Sequence, residues 1–242
     1  MNYKISISYC GTNYHGFAKQ NDVPTIEQTL MNTFNELFNI NVKVFGSGRT
    51  DRFVHAYEQI ISVNNINLNL EPRQLKNALN SKLPTDIRVN YIDIINSNFH
   101  ARFCAKNKTY IYKLNFGPNF DLFNQNLIYQ YNKPINFNKL DVFIKKIIGT
   151  HNFLSFSTTE VEDTIRTINY FEYKVENELL IFSINGNGFL RNMVRMIIGC
   201  FLNFNEDVID LEKIDSYFSN PQKGAVIRKE KGCGLYLYKV NY

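Results

Sequence analysis

Residues 3–9 read Tyr3-Lys4-Ile5-Ser6-Ile7-Ser8-Tyr9, and residues 25–30 read Thr25-Ile26-Glu27-Gln28-Thr29-Leu30. The first stretch alternates, with Tyr3, Ile5, Ile7 and Tyr9 on one face and Lys4, Ser6 and Ser8 on the other, as in a half-buried strand. The second is a capping box just after Pro24, with Thr25 as N-cap and Gln28 three residues on. Ile26, Leu30, Phe34, Leu37 and Phe38 then keep helical spacing. Outward from this pair, Val42 to Phe45 and Gln59 to Val63 read as strands around a glycine-punctuated loop, Gly46 to Asp51. Pro72 opens a helix with Leu75, Ala78 and Leu79 on its apolar side, and Ile87 to Ile95 is again a strand.

The second half repeats this order. Thr109 to Phe116 alternates; Leu140, Phe143, Ile144, Ile147 and Ile148 mark a helix; Thr164 to Val175 and Leu179 to Asn185 read as paired strands. Phe189 to Phe204 and Leu211 to Phe218 read as helices and Leu235 to Val240 as a last strand. The expectation is an α/β fold of the α+β type, made of two ferredoxin-like split-βαβ halves with an added helix. The halves are residues 1–104, carrying the Asp51 loop, and residues 105–242. Joined edge to edge, they give a central mixed, largely antiparallel sheet with helices on one face and a cleft between the halves.

The chain has 242 residues, 44% of them hydrophobic and 20% charged, enough apolar material to exclude a disordered chain. No run of about 18 apolar residues exists, so no membrane association is expected. The first ten residues carry no signal-peptide block, which predicts a cytoplasmic protein. Cys10, Cys104, Cys200 and Cys233 are scattered and form no CxxC pair. The net charge of +5 fits an anionic partner such as nucleic acid, although many proteins without one share it. Tryptophan is absent, so Tyr and Phe must supply all aromatic stacking.

HExxH, HxE with PCxxC, and GxxxxGK[ST] are all missing, and His15, His55, His100 and His151 lie far apart in sequence. Gly186-Asn187-Gly188 resembles the start of a dinucleotide loop, but Arg191 holds the third glycine position, so it reads as a plain turn. Three clusters remain. In Gly46-Ser47-Gly48-Arg49-Thr50-Asp51, a carboxylate is displayed on a loop with a guanidinium two residues away that would favour its ionised form. The bland alternative is a polar turn. Asn98-Phe99-His100-Ala101-Arg102-Phe103, followed by Lys106, Lys108, Tyr110 and Tyr112, interleaves cations with aromatics, as a surface that neutralises phosphates and stacks bases would. For Tyr112 a core role is the better reading. In Asn187-Gly188-Phe189-Leu190-Arg191-Asn192-Met193-Val194-Arg195, Arg195 lies beside an apolar helix side and needs a partner for its charge.

Together these stretches resemble tRNA pseudouridine synthases of the TruA family. Tyr9-Cys10-Gly11-Thr12-Asn13-Tyr14-His15-Gly16-Phe17 with Gln20, Val54-His55-Ala56, Lys108-Thr109-Tyr110-Ile111-Tyr112 and Gly234-Leu235-Tyr236-Leu237 complete the match, in order over the whole chain. The resemblance implies a homodimer acting on tRNA, with no metal and no organic cofactor, that converts uridines 38, 39 and 40 of the anticodon arm to pseudouridine. It implies that Asp51 is the catalytic residue and that Arg49 helps hold the flipped-out nucleotide. It further implies that Tyr110 stacks on the target base and that Arg195 pairs with the catalytic Asp. Two departures stand out. Arg52-Phe53 replaces the usual Ala-Gly after the aspartate, restricting a backbone that glycine leaves free. Phe17 replaces the usual Trp, and Ala18 shifts the Gln that follows.

Pseudouridine is an isomer of uridine, so the chemistry requires neither redox step nor group donor. Asp51 can act as a nucleophile on the sugar or base, or as a base on the sugar, and the residues leave these open. Tyr110 is a candidate for removing the C5 proton, against its ordinary pKa near 10. The rival readings are a non-catalytic tRNA-binding or chaperone-like protein of the same fold, and a synthase with other tRNA targets.

Overall fold

The alternating stretch forms β1 (Asn2–Tyr9), and its apolar set is buried as the pattern predicts: Tyr3, Ile5, Ile7 and Tyr9 all lie in the core. α1 (Ile26–Phe38) starts at Thr25, whose Oγ1 accepts from Gln28 N at 3.4 Å. Only this half of the capping box forms, because the Gln28 amide turns outward and donates to Asn32 Oδ1 at 2.6 Å. α1 ends at Asn39 in the left-handed region, φ 54°, a conformation that asparagine tolerates better than most residues. This computed structural model describes every residue of the chain except Asn65, Asn67, Ser97 and Thr159. The chain divides into two compact units, Met1–Lys106 with Tyr236–Tyr242, and Asn107–Leu235.

In the first unit, β2 (Val44–Gly46), β3 (His55–Val63), α2 (Pro72–Lys82) and β4 (Ile87–Ile95) follow α1. β1 is central, antiparallel to β3 (Tyr3 opposite Val63, Ile5 opposite Ile61) and to β4 (Ile5 opposite Ile92, Tyr9 opposite Ile87). Ile26, Leu30 and Phe34 of α1 and Leu75 and Leu79 of α2 are buried, each contributing roughly 1.5–3 kcal/mol by leaving water. Pro72 opens α2 as expected, and Gln74 Oε1 accepts from Glu71 N at 2.9 Å, a cap the sequence reading did not include. β3 begins four residues earlier than expected. Its outer edge is shared: Ile61–Val63 pair with β2, while His55 and Ala56 pair in parallel with Tyr236 and Leu237 of the last strand. From Tyr236 on, that strand, Leu235–Asn241, groups with the first unit, whereas the sequence reading places it in the 105–242 half.

The second unit holds β5 (Asn107–Asn115), β6 (Tyr129–Gln130), α3 (Phe137–Ile147), β7 (Gly149–Asn152), β8 (Ile165–Glu176), β9 (Leu179–Gly186), α4 (Met193–Asn205) and α5 (Leu211–Ser219). The last strand is β10. β5 pairs antiparallel with β9, β9 with β8 and β8 with β7, while the short β6 runs parallel to β5. β6 and β7 were not expected; at two and four residues they carry too little periodicity to see. α4 starts at Met193 rather than Phe189, because Asn192 takes φ 66° and the preceding segment is a turn closed by Met193 N donating to Leu190 O at 3.1 Å. From Met196 to Leu202 every residue of α4 is buried, which makes it the central helix of this unit.

Among the described residues, no helix is long and apolar enough to cross a membrane.

Candidate active site

The loop between β2 and β3 is rooted before it displays anything. Ser47 and Gln59 are fully buried. Ser47 N donates to Ile60 O at 2.7 Å, Ser47 Oγ to Gln59 Oε1 at 3.0 Å, and Gln59 Nε2 to Gly48 O at 2.6 Å. A buried polar group left unmet costs about 1–3 kcal/mol, so this root resists opening. Beyond it Arg49 is exposed, Thr50 is 7% exposed and Asp51 is half-buried. Thr50 is thus the anchor between two displayed charges. Its Oγ1 shares a hydrogen bond of 2.8 Å with Tyr9 OH, and Val54 N donates to Asp51 O at 3.2 Å to close the turn.

The N-terminal Tyr9–Phe17 stretch grips this loop along its length. Phe17 N donates to Thr50 O at 3.1 Å. Gly16 takes φ +95°, and a Cβ there would lie 2.6 Å from Thr50 O. A Cβ on Gly11 would lie 2.0 Å from Val54 O, so both glycines permit a backbone approach that no side chain allows. Gly11 N donates to His55 Nδ1 at 3.0 Å, which puts the neutral imidazole's proton on Nε2. That ring stacks on Tyr236 with centroids 4.6 Å apart. His55 therefore belongs to the framework around the loop. The replaced glycine is equally visible: Phe53 takes φ +65°, the conformation that glycine adopts without cost. The Arg52 guanidinium lies over its ring at 4.4 Å.

Arg49 and Asp51 share this loop of the first unit; Tyr110 and Arg195 belong to the second. Tyr110 stands on β5 opposite Ile184, 8% exposed, with Phe189 edge-on at 5.0 Å. Tyr112 is fully buried and donates to Lys231 O at 2.9 Å, the core role expected of it. Phe116 falls just past the end of β5.

Arg195 lies in the first turn of α4. Its Nε donates to the main-chain carbonyl of Glu230 at 2.6 Å, its Nη1 to Asn192 Oδ1 at 3.4 Å, and Glu230 N donates to Arg195 O at 3.2 Å. The Glu230 carboxylate, 4% exposed, is taken by Arg228 Nε at 2.5 Å. Arg228 Nη1 also donates to Glu206 at 2.8 Å, where Lys133 and the Tyr131 hydroxyl converge. Burial alone would raise the Glu206 pKa, but hydrogen bonds from Lys133, Arg228 and Tyr131 outweigh it and hold the value at about 2. Burial also opposes the Arg228 charge, and the two glutamates more than offset this. Sequence reading missed this network. Arg228 and Glu230 sit in an irregular segment, and a buried glutamate carries no periodic signal.

Among the described residues, no three His, Cys, Asp or Glu side chains are grouped so as to hold a metal ion.

The family model described as tRNA pseudouridine synthase matches residues 5–104 and 143–242, spans that include Arg49, Asp51 and Arg195 but not Tyr110. The chain is 45% identical over 244 residues to tRNA pseudouridine synthase A of Malacoplasma penetrans, covering 100% of both. It is 38% identical over 240 residues to tRNA pseudouridine synthase A of Mycoplasma genitalium, covering 98% of this chain and 96% of that one. It is 36% identical over 242 residues to tRNA pseudouridine synthase A 1 of Bacillus cereus, covering 99% and 98%.

Proposed function

Because this chain belongs to the tRNA pseudouridine synthase family, we propose that Asp51 is the carboxylate through which it acts, at uridines 38, 39 and 40 of the anticodon arm. The protein is an isomerase that converts uridine to pseudouridine in tRNA. In that reaction the bond from C1′ to N1 breaks, the base turns, a bond from C1′ to C5 forms, and the C5 proton is lost while N1 is protonated. Atoms and electrons balance within the nucleotide, so the protein need supply only position, charge and proton transfer.

The observation that carries the assignment is the clamp on the Gly46–Asp51 loop. A carboxylate that acts on one sugar or base must be held still, and Thr50 is locked from Tyr9 and Phe17 while Asp51 is left half-exposed. A uridine within a stem must first be extruded, at a cost of a few kcal/mol. Arg49, exposed on the same loop, is assigned to hold the flipped nucleotide, and Tyr110 to stack on its base. Arg195, its Nε fixed by the Glu230 carbonyl, is assigned to the substrate-binding side of the reaction. The working form is a cytoplasmic homodimer. Mapping pseudouridine in tRNA from cells with and without this protein tests the reading. Loss confined to positions 38–40 supports it; loss elsewhere replaces the target assignment, and no loss overturns the function.

A further inference from the structure

The turn from His100 to Cys104 is fixed by its middle. Ala101 is fully buried, its N–H donates to Ser62 Oγ at 3.3 Å, and its carbonyl accepts from Tyr242 OH at 2.7 Å. Cys104 N donates to His100 O at 3.0 Å and Arg102 N to His100 Nδ1 at 3.1 Å, which closes the turn on itself. The residues on either side of the next peptide are left in water. Phe103 is 77% exposed, Arg102 is exposed, and the guanidinium lies 5.7 Å from the Phe103 ring centroid. Next to Phe103 two further rings follow along the surface, His100 at 4.5 Å and, beyond it, Phe45 at 5.1 Å, tilted by 39° and 43° to one another. The three rings form a tilted row with an exposed ring at each end, Phe103 being by far the more open.

A single exposed phenylalanine is ordinary. A ring two residues from a buried anchor, set against an imidazole and flanked by a cation, is a surface that matches a flat π face joined to an anion. Phe45 is six residues before Asp51, so that end of the row lies at most about 20 Å from Asp51 along the chain. We propose that Phe103 is a stacking platform for an unpaired base of the tRNA substrate, a few nucleotides from the modified uridine, with Arg102 on a neighbouring phosphate. The proposal rests on the tRNA reading above and adds a contact outside the catalytic loop. An apolar protein partner would gain nothing from the guanidinium, whereas a nucleic acid uses both groups.

The chain contains no tryptophan, so Phe103→Trp places a single reporter at the platform. Its fluorescence should be quenched by saturating unmodified tRNA, and its larger ring should keep tRNA affinity. Phe103→Ala and Phe103→Leu should each raise the Kd for tRNA about five- to a hundredfold, the range for losing one base stack, and kcat/KM should fall in step. Arg102→Ala should flatten the dependence of log Kd on log salt by about one phosphate contact. Wild-type affinity in Phe103→Ala, wild-type affinity in Phe103→Leu alone, or an unquenched Phe103→Trp each overturns the proposal. Pseudouridine formation by the wild-type protein is measured on the same tRNA. Its absence strikes the function reading, whereas normal turnover with unaltered Phe103→Ala binding strikes the platform alone.

Discussion

Phe17 N–H donates to the carbonyl of Thr50 at 3.1 Å, tying the end of the N-terminal motif to the residue just before Asp51. The neighbouring Gly16 makes that bond possible, since a Cβ would lie 2.6 Å from the same carbonyl. Gly16→Ala must therefore distort its φ of +95° or push the loop away. The expected result is a loss of about 1–3 kcal/mol in denaturant unfolding. A fall in kcat/KM of at least about tenfold should accompany it, since small displacements of a reacting group cost that much or more. Unaltered stability and turnover in Gly16→Ala would show that the clamp does not position the loop.

Asp51→Asn keeps the shape of the side chain and removes its charge. Single-turnover pseudouridine formation should be abolished while tRNA affinity stays within about tenfold, because phosphate contacts dominate binding. Turnover above a few per cent of wild type, in a preparation free of wild-type enzyme, would falsify the assignment of Asp51.

Phe53 supplies a backbone test with an unusual sign. At an ordinary position alanine is more stabilising than glycine. With φ at +65°, the order should reverse: Phe53→Gly should be more stable than Phe53→Ala by about 1 kcal/mol. Both lose the ring and its contact with Arg52, so their difference isolates the backbone. Chemical denaturation of the two variants decides it, and an alanine variant at least as stable as the glycine one refutes the strain.

Glu206 links stability to acid. Its folded pKa of about 2 lies below its ordinary value of 4.5, so its contribution is complete above the ordinary value and is lost as pH falls toward 2. At neutral pH Glu206→Gln should have a lower Tm than wild type, and the gap should close as the pH approaches the folded pKa. A gap that stays constant over this range would mean that the carboxylate charge contributes nothing through Arg228 and Lys133.

The sequence by itself determined the order of the helices and of the strands other than β6 and β7, because alternation in Tyr3–Tyr9 and helical spacing from Ile26 to Phe38 are local consequences of which side chains must leave water. It also marked the stretches around Asp51, Arg49, Tyr110 and Arg195 by their charged and aromatic residues, and the family resemblance that these stretches carry made the four residues candidates. Only the tertiary structure decided that Gly11, Gly16 and Phe17 hold the Asp51 loop, that β10 joins β3, and that Glu230 holds Arg195 through its backbone while its carboxylate serves Arg228. Tyr9 and Thr50 meet across 41 residues, and Arg195 and Glu230 across 35. Contacts of that kind leave no periodic trace in the chain. They are set by which backbone groups come close enough to exchange a hydrogen bond once the strands have paired.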